Sequence, residues 1–384
     1  MEFETLKALL DIHNRQELFE KILKQLNELN EINHISLKIH EISDGPIPII
    51  YIARSLDINS VKTVKIFVGA QHNEYNGLFG ILEFLTMIKE KKVKIKDILI
   101  DGQVLIFAPL MNPYGFLNPS RENKSGYYLK NGTNLNRFWR RAFAPEYING
   151  ENDLDELEVP DQVTLFKMLL KKYWEKEDIK IFLLDFHETS LLEKFPRDLS
   201  MNLTLYYKFD HWLKEGIVLN VMKLYNIPYY RKPLFYKCSN SADHSHIQLS
   251  MRQLDTVFEK LLHYISKNHG KLPFYFAYSN RSEEYCKELA RNVYDKFKDK
   301  VWETYFPAFD HSFHDHGCFV KLSDATSRKN FYSMELENQK HFFDIFEEIE
   351  KSKYDLNYFK NKLNFINVSL ELAIEAIKEM INLV

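Results

Sequence analysis

The chain has 384 residues, a net charge of −3, 29 Phe and 22 Tyr, but only 12 Gly and 12 Pro. Such a length supports a large buried core, and an aromatic, glycine-poor composition describes a packed globular protein without a long flexible linker. The slightly acidic balance excludes the broad phosphate-neutralising surface of a general nucleic-acid binder.

Cys238, Cys286 and Cys318 form an odd, widely spaced set that reads as reduced thiols. The start, Met1-Glu2-Phe3-Glu4-Thr5-Leu6-Lys7, lacks a basic region, an apolar core and a small-residue cleavage site. No apolar run approaches the roughly 20 residues that span a bilayer. The expectation is a cytoplasmic protein with no membrane or nucleic-acid partner.

Leu6 to Leu29 carries apolar residues at helical spacing, among them Leu9, Leu18, Ile22 and Leu26, and reads as one or two amphipathic helices. Strands are expected at Ser36–Ile42, Ile47–Ala53 and Val61–Gly69, with Ser43-Asp44-Gly45 as a hairpin turn. Gly69-Ala70-Gln71-His72-Asn73-Glu74-Tyr75-Asn76-Gly77 is then a polar loop between a buried strand and a helix from Leu78 to Ile88. A strand opening into such a loop is a common place for an active site in an α/β protein. A strand at Val104–Ala108 leads to residues 112–136, rich in Asn, Ser, Gly and Tyr. An irregular stretch of that length in a compact domain usually signals function.

A helix over Pro160–Glu175 delivers the chain to the apolar strand Ile179–Thr189, which carries His187 near its end. Helices follow at Asp210–Tyr225, Met251–Asn268 and Ser282–Lys298, with a strand at Phe274–Ala277. Phe331–Glu337 is a late strand with Glu335 among Phe331, Met334 and Leu336, and helices over Gln339–Lys351 and Tyr358–Leu383 close the chain. Alternating strands and helices give an α/β fold with a mixed, mostly parallel sheet covered by helices on both faces. No internal repeat interrupts it.

Six segments stand in order. They are Gln71-His72-Asn73-Glu74 after a strand; Asn112-Pro113-Tyr114-Gly115; Arg121; Asn134-Leu135-Asn136-Arg137; Asp185-Phe186-His187 at a strand end; and Glu335 in a late strand. In this order the chain resembles the zinc carboxypeptidase (funnelin-type metallopeptidase) family and its aspartoacylase and succinylglutamate desuccinylase relatives. The resemblance runs from Gly69 to Glu337. It implies a zinc carboxypeptidase-like fold and residues 1–384 as a single catalytic domain, with a helical N-terminal extension over about 1–30 and a helical C-terminal end over about 339–384.

The resemblance implies Zn2+ held by Gln71, Glu74 and His187, with an open position for water. Glu335 would be the general base, suited by a pKa raised among apolar neighbours. Arg121 would stabilise the oxyanion. Asn136 and Arg137 would hold the substrate's terminal carboxylate, which a guanidinium fork suits.

Two positions depart from the family pattern. Gln71 stands where the family has His, and Asn134 where it has Asp. An amide is a poorer zinc donor than an imidazole. His72 is a ligand only if the loop shifts by one residue. Gln71 is preferred because Asn73-Glu74-x-x-Gly77 then lines up with the relatives. A subgroup that trims peptidoglycan stem peptides also carries Gln there.

Each residue has a plainer reading. Gln71 and Glu74 suit the N-terminus of the helix from Leu78, His187 a buried imidazole bonded to a carbonyl, and Glu335 a salt-bridged strand residue. Glu337 shares a strand face with Glu335. Arg121 suits surface charge, and Asn136-Arg137 a turn. Asp243-His244-Ser245-His246 and Asp310–Gly317 are polar loops, a specificity loop or a second metal site.

The expected function is a zinc-dependent metallocarboxypeptidase acting on a small peptide or peptide-like substrate, with a peptidoglycan-derived peptide as first candidate. The alternatives are an N-acyl amino acid deacylase built on the same machinery and an inactive binding homologue.

Overall fold

The computed structural model describes residues 15–120, 126–139, 158–189, 221–222, 224–228, 230–233, 245–248, 256, 260, 263, 267, 271–272, 274–302, 308–310, 320, 322–339 and 356–384. Helix α1 (Arg15–Asn27) buries Leu18, Phe19, Ile22 and Leu26, the stripe that its helical spacing marks. Strands β1 (Ile35–Ile42) and β2 (Gly45–Ala53) form an antiparallel hairpin in which Ile42 pairs with Gly45. Ser43 and Asp44 make the turn, and Gly45 takes φ of +115°, a conformation that favours glycine.

The remaining strands are β3 (Thr63–Val68), β4 (Gln103–Ala108), β5 (Lys180–Thr189), β6 (Tyr230–Pro233), β7 (Ser245–Gln248), β8 (Phe274–Tyr278), β9 (Ala308–Asp310) and β10 (Phe331–Gln339). Among the described residues, eight of the ten strands form one mixed sheet in the order β1-β2-β4-β3-β5-β10-β8-β9. Its centre, β4-β3-β5-β10, is parallel, whereas β2 and β8 join antiparallel on either side. β6 and β7 form a separate antiparallel pair. The sequence did not mark β6, β7 or β9, because three or four residues are too short to show a period.

Helices α2 (Asn76–Lys89), α3 (Asp161–Trp174), α4 (Glu283–Phe297) and α5 (Leu356–Asn382) cover the sheet on both faces. Alternation along β5 divides the core. Phe182, Leu184 and Phe186 join the residues of α2, α4 and α5, and Ile181 and Leu183 join those of α3. α5 lies close against α2, since a Cβ at Gly80 would come within 2.6 Å of Ala373 Cβ. Lys65, buried on β3, donates from Nζ to Ile381 O at 2.7 Å and Leu383 O at 2.5 Å, and so satisfies carbonyls at the end of α5 that have no partner within the helix.

The late expectations are adjusted. Gln339 ends β10 instead of starting a helix, and residues 340–351 of that expected helix lie outside the described residues. Of the helix expected over Asp210–Tyr225, residues 221, 222 and 224 are helical; of Met251–Asn268, residues 256, 260, 263 and 267 are. Tyr225 is in a turn, and the rest of both lies outside the described residues. Among the described residues no helix is long and apolar enough to cross a membrane.

The order of the central strands places the site. β3 leads through α2 to β4 on one side, and the next sheet strand, β5, lies on its other side. Such a reversal opens a crevice at the carboxyl ends of the two strands.

Candidate metal centre

The chain leaves β3 under tight constraint. A Cβ at Gly69 would lie 2.3 Å from Pro109 O, so only glycine lets the two post-strand loops meet. Ala70 O then accepts from Met111 N at 3.0 Å and Asn112 N at 3.1 Å. These bonds seat Gln71, His72, Asn73 and Glu74 in the crevice, all buried.

β5 fixes the same loop from below. On one face, Glu188 Oε1 accepts from Asn76 N at 2.5 Å, at the N-terminus of α2, where negative charge is favoured. Phe186 on that face lies so close to Gly77 that a Cβ there would stand 2.4 Å from Phe186 Cβ. The opposite face carries Asp185 and His187. β10 supplies their register partners, Glu335 opposite Asp185 and Glu337 opposite His187. Two strands with a period of two thus place four titratable groups in a block on one face of the sheet.

His187 is the hub. Its Nδ1 lies 2.6 Å from Glu74 Oε2, and its Nε2 lies 2.8 Å from Asp185 Oδ2, 3.4 Å from Asn136 Nδ2 and 4.0 Å from Glu335 Oε2. His72 approaches Glu74 from the other side. Its Nε2 is bonded to Asn134 Oδ1 at 2.8 Å, and its Nδ1, 3.7 Å from Glu74 Oε2, has no hydrogen-bond partner. Tyr127 stacks on the His72 ring at 4.2 Å between centroids. Asn112 brings that segment in: its Oδ1 accepts from Gly115 N at 2.8 Å, and its Nδ2 donates to Gly126 O and Tyr128 O.

The electrostatics follow from burial among like charges. Burial alone would lower the His187 pKa, but Asp185, Glu335 and Glu74 together hold it well above the ordinary imidazole range. Burial would raise Glu74, yet His187 and His72 hold it well below the carboxylate range. Burial, with Glu337 and Asp185 adding, pushes Glu335 well above that range, against the opposing pull of His187. Burial raises Glu337 to about 6, with His187 opposing, and raises Tyr127 to about 12, with Glu74 adding.

The cluster fits a divalent cation. Asp185 Oδ1, both oxygens of Glu335 and Glu337 Oε2 are buried without a hydrogen-bond partner. Among the described residues no Lys or Arg pairs with Glu74, Asp185, Glu335 or Glu337. The ligand atoms of His72, Glu74 and His187 lie within 4.8 Å of one another, as do those of Asp185, His187 and Glu335. Two imidazoles and one carboxylate are a donor set that catalytic zinc takes, with one position open.

Of the residues the sequence singled out, Glu74, His187 and Glu335 come together here, and Asn136 reaches His187. Gln71 stands beside the group with both amide atoms engaged. Its Oε1 accepts from Trp139 Nε1 at 2.6 Å, and its Nε2 donates to Asp185 Oδ2. The resemblance expects Gln71 as a metal ligand, and here its two amide atoms meet Trp139 and Asp185. The loop turns the next residue, His72, toward Glu74 instead. Arg137 is half-buried and donates from Nη1 to Asn136 O at 3.1 Å. Arg121 lies outside the described residues, as do Asp243, His244 and residues 311–317.

Asp185, Tyr127 and Trp139 carry contacts that the sequence did not assign. For Asp185 the signal was present, since two residues before His187 on a strand means the same face. Tyr127 comes from an irregular segment and Trp139 is a single described helical residue, so neither shows a period that says which way a ring points.

No family model matches the chain, and no curated protein matches it. Among solved structures it is similar to a metallo-carboxypeptidase from Pseudomonas aeruginosa in complex with (2-guanidinoethylmercapto)succinic acid. The identity is 11%, the match covers 95% of this chain and 68% of that one, and the TM-score is 0.48. A metallo-carboxypeptidase from Burkholderia cenocepacia is similar at 13% identity, over 94% of this chain and 68% of that one, with a TM-score of 0.48.

Proposed function

We propose that the chain is a zinc-dependent hydrolase of the metallocarboxypeptidase type, with His72, Glu74 and His187 as the residues that hold the metal. One observation carries this reading: the two histidines flank Glu74 Oε2, and the buried Nδ1 of His72 has no hydrogen-bond partner of its own. Zinc, when bound, polarises a carbonyl as a Lewis acid and lowers the pKa of water.

The chain's own groups do the rest. Asp185 accepts from His187 Nε2 and leaves Nδ1 to face Glu74. Glu335 is the proposed general base, taking a proton from the attacking water and passing it to the leaving nitrogen. Glu337 is the competing carboxylate, one pleat nearer the strand end and level with His187. Asn136, at His187, and Arg137 beside it are proposed to hold the substrate's free carboxylate, a bidentate partner for a guanidinium. Arg121 is kept as the proposed oxyanion stabiliser.

The substrate proposed is a small peptide with a free C-terminal carboxylate. The motive for a peptidoglycan-derived peptide was Gln71 as a ligand, and with His72 proposed in that place this finer assignment loses its support. The test is release of a terminal residue from a panel of dipeptides, stem peptides and N-acyl amino acids by the zinc-loaded chain. The expected result is release from peptides that stops on chelation and in His187→Ala. Peptide turnover indifferent to both, or none at all, would overturn the proposal.

A further inference from the structure

We propose that Gln71 is a positioning residue that acts on the metal centre through Asp185, anchored by Trp139. This rests on the reading of His72, Glu74 and His187 as the metal ligands. It assigns to the residue next to His72 a task other than ligation.

The geometry begins with Trp139. Its indole N–H is a donor only, so the atom it meets at 2.6 Å must be an acceptor. That fixes the sense of the Gln71 amide: oxygen toward Trp139, nitrogen toward Asp185. Gln71 Nε2 then donates to Asp185 Oδ2, the same oxygen that meets His187 Nε2 at 2.8 Å. His187 Nδ1, at the far side of the ring, meets Glu74. A continuous path therefore runs from Trp139 through Gln71, Asp185 and His187 to Glu74, and each link is buried.

The path has a rigid origin. Trp139 is fully buried and packs edge-on against Phe166 of α3, with centroids 5.4 Å apart. Such an anchor matters because, apart from Gln71, the side chain bonded to Asp185 among the described residues is His187, the group that it orients. The other Asp185 oxygen has no partner, and the neighbour of Asp185 across the strands is Glu335, also a carboxylate. Without the Gln71 donor, Asp185 is free to turn from Glu335 and release the imidazole it orients. Glutamine suits the place because it accepts on one side and donates on the other without adding a charge. Outer partners that hold a ligating imidazole commonly contribute about 10–100-fold in metal affinity.

The test uses the full chain, with Zn2+ affinity read by competition at fixed pH and Co2+ absorption read as a report on the ligand set. Gln71→Met is expected to weaken Zn2+ binding by about 10–100-fold while leaving the Co2+ band shape and intensity as in the parent. Trp139→Phe, which leaves Gln71 in place, is expected to weaken binding in the same direction by less. Gln71→Met combined with Asp185→Asn is expected to cost little beyond Asp185→Asn alone, because both act on one path.

Parent-like affinity in Gln71→Met would overturn the proposal, and so would additive losses in the double variant. A Co2+ spectrum altered as in His187→Ala would show that Gln71 is itself a ligand, which overturns it too. Failure of the underlying reading looks different: the parent binds no Zn2+, or His187→Ala binds it as tightly as the parent, and the role of Gln71 falls with it.

Discussion

Glu335 stands directly opposite Asp185 in the parallel pairing of β10 with β5, and both are fully buried. Among the described residues His187 is the one basic side chain paired with these two carboxylates, and no Lys or Arg joins it, which leaves room for a further counter-charge. The burial that leaves both Glu335 oxygens without a partner also raises its pKa, which suits the proposed role as general base.

Glu335→Gln is therefore expected to keep the fold and the zinc but to lower turnover by about 10²-fold or more. Glu337→Gln is expected to do much less. Steady-state rates on the best peptide of the panel, with zinc content measured in parallel, check this. A large loss in Glu337→Gln alone would assign the base to the carboxylate level with His187.

The choice between adjacent residues in the loop is testable by metal affinity. His72→Ala is expected to weaken Zn2+ binding to the extent that His187→Ala does. Gln71→His, which the sequence alone expects to tighten binding, is expected to give no gain, because that side chain is directed to Trp139 and Asp185. Calorimetric titration of the three variants decides it. A gain in Gln71→His with little loss in His72→Ala would restore Gln71 as the ligand.

This loop also shows where sequence reading ends. The strands β3 and β5, the helix α2 and the downstream groups His187 and Glu335 were legible, because apolar periods and strand ends place them. Gln71 and His72 are neighbours, and which one turns to Glu74 depends on contacts far along the chain. His72 is held by Asn134 and Tyr127, Gln71 by Trp139 and Asp185. Spacing within four residues carries no record of those partners. β9 and the β6–β7 pair were missed for a different reason, since segments of three or four residues show no period.

Gly77→Ala is expected to destabilise the fold by about 1–3 kcal/mol, as overpacking a tight contact does. The added Cβ would meet Phe186 Cβ at 2.4 Å and force α2 away from β5, at the point where Glu188 caps it. Denaturant unfolding of the metal-free variant checks this. An unchanged midpoint would mean that the helix and strand can part at no cost.

Lys65 gives a pH dependence outside the metal centre. Burial first, and the charge of Lys180 second, bring its pKa down to about 7. The unfolded lysine titrates near about 10.4. Between these values the unfolded chain binds more protons than the folded one, so this group's contribution to stability rises with pH across that window. Below the folded value it is protonated in both states and adds no further slope. The stability difference between the parent and Lys65→Met is expected to shift in the parent's favour from about pH 7 to about pH 9.5. Denaturant midpoints at the two pH values check it, and a shift toward the variant would contradict the assignment.

The central claim is that His72, Glu74 and His187 form a zinc site. Titration of the metal-free chain with Zn2+ tests it most directly, with His187→Ala beside the parent. The expected result is one Zn2+ per chain in the parent and a loss of that binding in His187→Ala. No Zn2+ binding by the parent, or equal binding by the variant, would contradict it.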